Sequence, residues 1–390
     1  MLHLMRCALP LSIVLLAPAV AMAQPRSGLL NGAPDPTGVA VTNDAGETVY
    51  YVAATGRGVQ LLRSTDLVHW EKSGRVFESA VPQWARDAVP GTQGIWAPDL
   101  SYHDGLYYLY YSVSTFGSQH SVIGLAVNKS LDPDSADYKW VDRGKVLESS
   151  AETTDFNAID PALLVDEDDR WLLFWGSHWA GLKVVEVDPA TGKPKQGAEF
   201  QPVAARPDTN SHAIEAPFAM FHDGYYYLFV SWDGCCDGAD STYNVVVGRS
   251  RDATGPYVDA DGKPMLEGGG TTVLEGDQRW RGPGHNGVLT TDEGQWMVHH
   301  TYDVEHLDAQ RILQVRPLSW SADGWPIVGE PVDLSADCAA APQPAAGVSP
   351  TGLLCRPAGQ ALSLRRAGQR RHLRGRRSGV LGTADEPRGD

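Results

Sequence analysis

The sequence predicts an all-β protein, a five-bladed β-propeller, and three observations carry that prediction. A turn of Asp/Gly type followed by a run of aromatic and β-branched residues recurs five times along the chain. Further runs of strand character, Gly58-VQLLRS, Ser121-VIGLAVNKS and Tyr243-NVVVGRS, follow where the next strand of a repeat belongs. The 390 residues include Gly 41 and Pro 26, a supply of turn-formers that suits many short strands and not long helices.

The chain opens on a targeting segment, 1–23. Arg6 gives a short positive region, Cys7 to Val20 is apolar but broken by Pro10 and Pro18, and Ala21-Met22-Ala23 reads as a cleavage site. The run is short for a membrane anchor, and no second apolar segment follows. The mature chain is therefore expected to be secreted, extracellular or periplasmic. Export permits disulfides. Cys338 with Cys355 could close a small loop, and adjacent Cys235-Cys236 could pair with each other or remain two thiols. No Cys/His spacing resembles a zinc site.

The propeller is expected over 24–337. Its repeats are Asp44-AGETVYYVAATG, Asp104-GLYYLYYSVS, Asp168-DRWLLFWGSHW, Asp223-GYYYLFVSW and Asp292-EGQWMVHHTYD, with Arg311-ILQVRPLSW as a last strand that closes the ring. Their period of about sixty residues exceeds the blade period of about 40–50, which long loops accommodate. Asp166 to Asp169 reads as a hairpin turn, and Gly268-Gly269-Gly270 as a loop without the strand–helix context of a phosphate site. From 338 to 390 the character changes. An Ala/Pro-rich linker leads into a segment with nine Arg against three acids and no strand periodicity, which is expected to be disordered.

Charge excludes several functions. With 32 Lys+Arg against 48 Asp+Glu, the formal charge of −16 disfavours nucleic acid, anionic membrane and polyanionic carbohydrate as partners. A few residues upstream of the five repeat starts stand Asp35, Trp96, Asp160, Glu215 and His285, Asp35 and Asp160 beside a proline, Trp96 and Glu215 two residues before one, and His285 in a Gly-Pro-Gly-His turn. If each lies on the innermost strand of its blade, all five converge on one mouth of the central channel, in register. Three crowded carboxyl groups cannot all ionise near neutral pH, so a protonated acid should stand beside ionised carboxylates. Glycosidic bond cleavage needs that combination, and a Trp at the rim suits stacking on a sugar ring. The same residue types leave a calcium site open.

Gly94-IWAPDLSYHDGLYYLYYSVSTFGSQHSVIGLAVNKSLDP, Asn157-AIDPALLVDEDDRWLLFWGSHW, Ile214-EAPFAMFHDGYYYLFVSWDGCC and Gly282-PGHN resemble glycoside hydrolase family 43. Within it they look most like endo-1,5-α-L-arabinanases, over about Asn31 to Asp337. The resemblance implies a five-bladed propeller, an inverting mechanism and arabinan as substrate. It makes Asp35 the general base, Glu215 the general acid, and Asp160 the third carboxylate, which orients the acid and tunes its pKa. It places His285 near a channel calcium held largely through water, and Trp96, Phe116, Asn157, Ser177, His178 and Trp179 along the sugar subsites. Two positions depart from the family's pattern: Pro34 stands where a His usually precedes the base, and His178 replaces a common Phe. His299-His300 could touch ion or substrate, although buried strand histidines are common. A monomer is expected. An exo-acting α-L-arabinofuranosidase or β-xylosidase and a non-catalytic propeller lectin are the alternatives. Retention of all three acids argues against the lectin.

Overall fold

The computed structural model describes residues 32–43, 46–306 and 310–332. The segments 1–23 and 338–390, and the Cys338/Cys355 pair, lie outside them. The described residues form five antiparallel sheets, each built from consecutive strands. Blade I holds β1 (Thr37–Thr42), β2 (Thr48–Ala54), β3 (Gln60–Ser64) and β4 (Glu71–Arg75), and blade II holds β5 (Trp96–His103), β6 (Leu106–Val113), β7 (Ser121–Asn128) and β8 (Val141–Ser149). Blade III holds β9 (Ala162–Val165), β10 (Trp171–Trp175), β11 (Leu182–Asp188), β12 (Lys193–Pro194) and β13 (Gln201–Ala204). Blade IV holds β14 (Ile214–His222), β15 (Tyr225–Trp232), β16 (Asn244–Ser250) and β17 (Thr271–Leu274). Blade V holds β18 (Trp280–Thr291), β19 (Gly294–Asp303), β20 (Ile312–Trp320) and β21 (Pro326–Val328). This is the expected propeller.

The repeat is the hairpin between the first and second strands of each blade. Asp104-Gly105 and Asp223-Gly224 turn with φ of 49° and 80°, and 44° and 78°. Two successive positive φ values make the tight turn whose twist matches the strands it joins, and Gly takes the second at no steric cost. Asp44 lies outside the described residues, but Asn43 and Glu47 flank its turn through an N–H···O bond of 2.9 Å.

The second strands look hydrophobic throughout because they are buried on both faces, as only a sheet sandwiched between two others requires. Alternate residues point to opposite neighbours. Tyr51 packs with Tyr107 and Leu109 between blades I and II, whereas Tyr50 packs with Leu289 and Trp296 between blades I and V. Tyr108 and Tyr110 face Leu163 and Trp171 of blade III. Tyr226 joins the core between blades III and IV, and Tyr227 that between IV and V. Five such interblade cores close the circle. The run after Arg311 is the third strand of blade V, β20, not the last: β21 pairs outside it. Blades I and V are joined instead by their shared core, by Ala33 N–H donating to Arg311 O at 3.2 Å, and by contacts at Asp35.

Candidate active site

Each innermost strand is entered through one residue in the left-handed region: Asp35, Ala97, Asp160, Ala216 and His285, with φ between 45° and 56°. In the first four blades a proline follows, and proline has no N–H to give to the ladder, so the pairing skips at this point. The skip is visible between Trp96 and Asp99, between Glu215 and Phe218, and between Gly284 and Gly287. The five expected residues are therefore not in register. Asp35, Asp160 and His285 occupy the left-handed position itself, whereas Trp96 and Glu215 precede it by one residue. Counting back from the repeat starts hid the one-residue offset because it arises at the bulge.

Left-handed backbone is costly for residues other than Gly unless its surroundings fix it. Here the preceding blade does so, by accepting the N–H of each of these residues. Ala97 donates to Thr55 Oγ1 at 2.7 Å, Asp160 to Ser112 Oγ at 2.9 Å, and His285 to Ser231 Oγ at 2.9 Å. Asp35 donates to His300 Nδ1 at 3.1 Å. Ser112, Ser231 and His300 stand near the end of the second strand and Thr55 just past it, opposite Trp96, Glu215, Gly284 and Pro34 in turn. In blade III that position is Gly176, which has no side chain. Asp160 Oδ2 takes its place and accepts the Ala216 N–H at 3.1 Å. The third carboxylate is thus tied to the backbone beside Glu215.

A cavity of about 1110 Å³ opens over these residues, and all ten residues named from the sequence line it: Asp35, Trp96, Phe116, Asn157, Asp160, Ser177, His178, Trp179, Glu215 and His285. Phe116 is 86% exposed and Trp179 is 40% exposed, so both offer ring faces to a ligand. Asn157 is buried and accepts from Ser121 Oγ at 2.7 Å. Ser177 bridges to the strand of Glu215 and donates its hydroxyl to Glu215 Oε2 at 2.7 Å. His178 N–H donates to Ile214 O at 2.9 Å, and its Nδ1 lies 3.0 Å from Ser177 Oγ and 3.6 Å from Glu215 Oε2. The adjacent cysteines are joined, Cys235 to Cys236, and line the same cavity.

Several residues around the site were missed in the sequence. Thr55 donates to Asp35 Oδ2 at 2.5 Å, and Arg311 Nη1 lies 3.4 Å from Asp35 Oδ1. Tyr243 is buried against Glu215 and stacks on His300 with ring centroids 5.7 Å apart. A Thr or Arg at a strand end gives no local signal of what it faces across the ring. Of the two histidines of β19, His300 reaches Asp35 and His299 is buried beside it, its Nδ1 3.0 Å from His300 O.

Burial alone would raise Asp35, but the Arg311 charge, then His285 and His300, hold its carboxyl far below the ordinary range. Burial lowers His300 to about 4, so its imidazole is neutral and its Nδ1 is free to accept the Asp35 amide. Asp160 is pushed well above the usual carboxylate range by burial, then by the charges of Glu215 and Asp35. Glu215 is raised by burial, yet His178, Ser177 and Tyr243 bring it below its ordinary value. Contact with Glu215 in turn raises His178 against the effect of burial. The two neighbours thus shift in opposite directions, Asp160 up through burial and like charge and Glu215 down through His178.

Near His285 the buried polar groups are short of partners. Both ends of the Asn286 side chain and Nε2 of His299 and His300 have no hydrogen-bond partner among the described residues. One imidazole and an amide oxygen are too few protein donors to enclose a calcium ion, but they fit an ion that keeps most of its waters.

The family model described as glycosyl hydrolases family 43 matches residues 29–326. The "Extracellular exo-alpha-(1->5)-L-arabinofuranosidase ArbA" of Cellvibrio japonicus is 42% identical over 290 residues, covering 72% of this chain and 83% of that protein. The "Extracellular endo-alpha-(1->5)-L-arabinanase 1" of Bacillus subtilis is 41% identical over 281 residues, 71% of this chain and 83% of its own length. Among solved structures, the Cellvibrio cellulosa alpha-L-arabinanase complexed with arabinohexaose superposes with a TM-score of 0.72 at 38% identity, covering 77% of this chain and 96% of that one.

Proposed function

The chain belongs to glycosyl hydrolases family 43, and from that premise we propose that it cleaves internal α-1,5-L-arabinofuranosidic bonds of arabinan with inversion. The observation that carries the reading is that Asp35, Asp160 and Glu215 line one cavity, where Arg311 and two histidines hold Asp35 low and burial with the Glu215 charge raises Asp160. Asp35 takes a proton from water as the water oxygen bonds to the anomeric carbon. Glu215 gives a proton to the leaving glycosidic oxygen as its bond to that carbon breaks. Asp160 and Glu215 titrate as a pair, so the proton that Glu215 delivers is the one the pair keeps. Trp96, Phe116 and Trp179 offer faces for furanose rings, and Asn157, Ser177 and His178 polar contacts.

His285, with Asn286, would hold a calcium ion through water, and the ion would add positive charge beside the carboxylates. Chelation should then lower the thermal midpoint, and calcium should restore it. Secretion after removal of 1–23 accords with the apolar run there and with relatives named extracellular. No described helix is long and apolar enough to cross a membrane. A monomer suits a ring whose five cores are all internal.

The exo-acting reading has one specific support, the similarity to the Cellvibrio enzyme named exo-acting. Linear arabinan separates the two: rapid viscosity loss with mixed oligosaccharides supports endo action, and release of a single short product without viscosity loss supports exo action. Glu215→Gln should abolish either. A chain that binds arabinan but releases nothing would be a lectin.

A further inference from the structure

We propose that Arg311, seated between Asp35 and the Cys235–Cys236 disulfide, is a positioning residue for the base, and that the disulfide serves as its seat. The inference rests on Asp35 being the base. Among the described residues Arg311 is the one Lys or Arg within ion-pair distance of any of the three carboxylates. Its Nη1 lies 3.4 Å from Asp35 Oδ1, 3.4 Å from Cys236 Sγ and 4.0 Å from Cys235 Sγ. The base must aim one oxygen at water through the whole reaction, and a carboxylate can turn about its own bond. Thr55 fixes Oδ2 from one side. On the other side His300 Nδ1 stands between the Asp35 amide, 3.1 Å away, and Oδ1, 3.2 Å away, and His285 Nδ1 stands back at 3.6 Å. Arg311 adds the one permanent cation at Oδ1, with a guanidinium whose planar fork resists turning.

The seat explains the paired cysteines. A disulfide between neighbours closes a small ring with the peptide between them, which stiffens a loop held at its base by Gly234 with Thr242 and by Asp237 with Ser241. Its sulfurs are polarizable and uncharged, so they pack against the guanidinium without competing with Asp35 for its charge. Arg311 is also fixed at its backbone, where its carbonyl accepts the Ala33 N–H two residues before the base. Base, Arg and disulfide thus come from blades I, V and IV and meet at one point of the cavity.

The test is a mutant cycle on linear arabinan, with thermal melts to confirm folding. Arg311→Met should lower kcat by about 10²-fold, the scale of a misplaced catalytic group, with KM little changed. Arg311→Lys keeps stem and charge and should recover part of the loss. In an Asp35→Asn background Arg311→Met should cost nothing more, because residues that act through one another are not additive. Replacing both Cys235 and Cys236 by Ser should lower kcat in the native background and not in Arg311→Met. Additive losses in the Asp35→Asn background, or a rise in KM alone, would show that Arg311 binds sugar instead and would overturn the proposal. Unchanged kcat in the double Ser variant would remove the disulfide from it. If Asp35→Asn itself turns over normally, the reading of Asp35 as base has failed, whatever Arg311 does.

Discussion

His178 Nδ1 lies 3.6 Å from Glu215 Oε2, and both groups also meet the Ser177 hydroxyl. An imidazolium here favours the Glu215 carboxylate, the form that cannot donate a proton. His178→Phe removes that pull, so Glu215 should hold its proton more firmly. The alkaline limb of the pH–rate profile should move to higher pH; a limb that stays put would show that His178 serves only as a sugar contact.

Asp160→Asn keeps an acceptor for the Ala216 amide but ends the mutual repulsion by which the Asp160/Glu215 pair retains its proton. Glu215 alone, still beside His178, should ionise at lower pH. The alkaline limb should therefore move down, and kcat should fall by at least about 10²-fold, as for loss of acid–base catalysis. Thermal melts should show little change.

Thr55→Val is nearly isosteric but leaves the Ala97 amide without its acceptor and frees Asp35 Oδ2. An unsatisfied buried group costs about 1–3 kcal/mol. Calorimetry should show a lowered Tm, and turnover should fall as well, because the same hydroxyl serves both neighbours.

Asp99 is raised to about 7 by burial in the wall between blades II and III, where its Oδ2 accepts the Leu163 N–H at 2.8 Å. Its folded pKa exceeds the unfolded one, so the folded chain binds the proton more tightly. The contribution to stability is full below the unfolded pKa and is lost as pH rises from about 4 towards 7. Asp99→Asn should raise Tm at pH 8 and change it little at pH 4. An equal gain at both pH values would show that ionisation is not the cause.

The five hairpins were legible because their signal is local: a turn followed by strands buried on both faces, as at Asp104-Gly105 and Tyr107 to Tyr111. The carboxylates were legible because each stands one or two residues before a proline that marks a strand entry. What the chain did not disclose were relations across the ring. The offset of Trp96 and Glu215 arises from a skipped ladder position, which no spacing reveals. Thr55, Tyr243 and Arg311 act on residues of other blades. The opposite shifts of Asp160 and Glu215 depend on burial and on His178, which meet only once blades III and IV are packed.

The amides of Asp35, Ala97, Asp160, Ala216 and His285 are each held by a side chain of the blade before, and the last blade holds the first. The arrangement is a hoop, and a hoop has no end at which to fray. Opening any one blade releases two of these amides and leaves the remaining links without closure, so the mouth of the channel should not loosen by degrees. Hydrogen exchange at the five positions should proceed together, through one event close in free energy to global unfolding, while the outermost strands exchange earlier and independently.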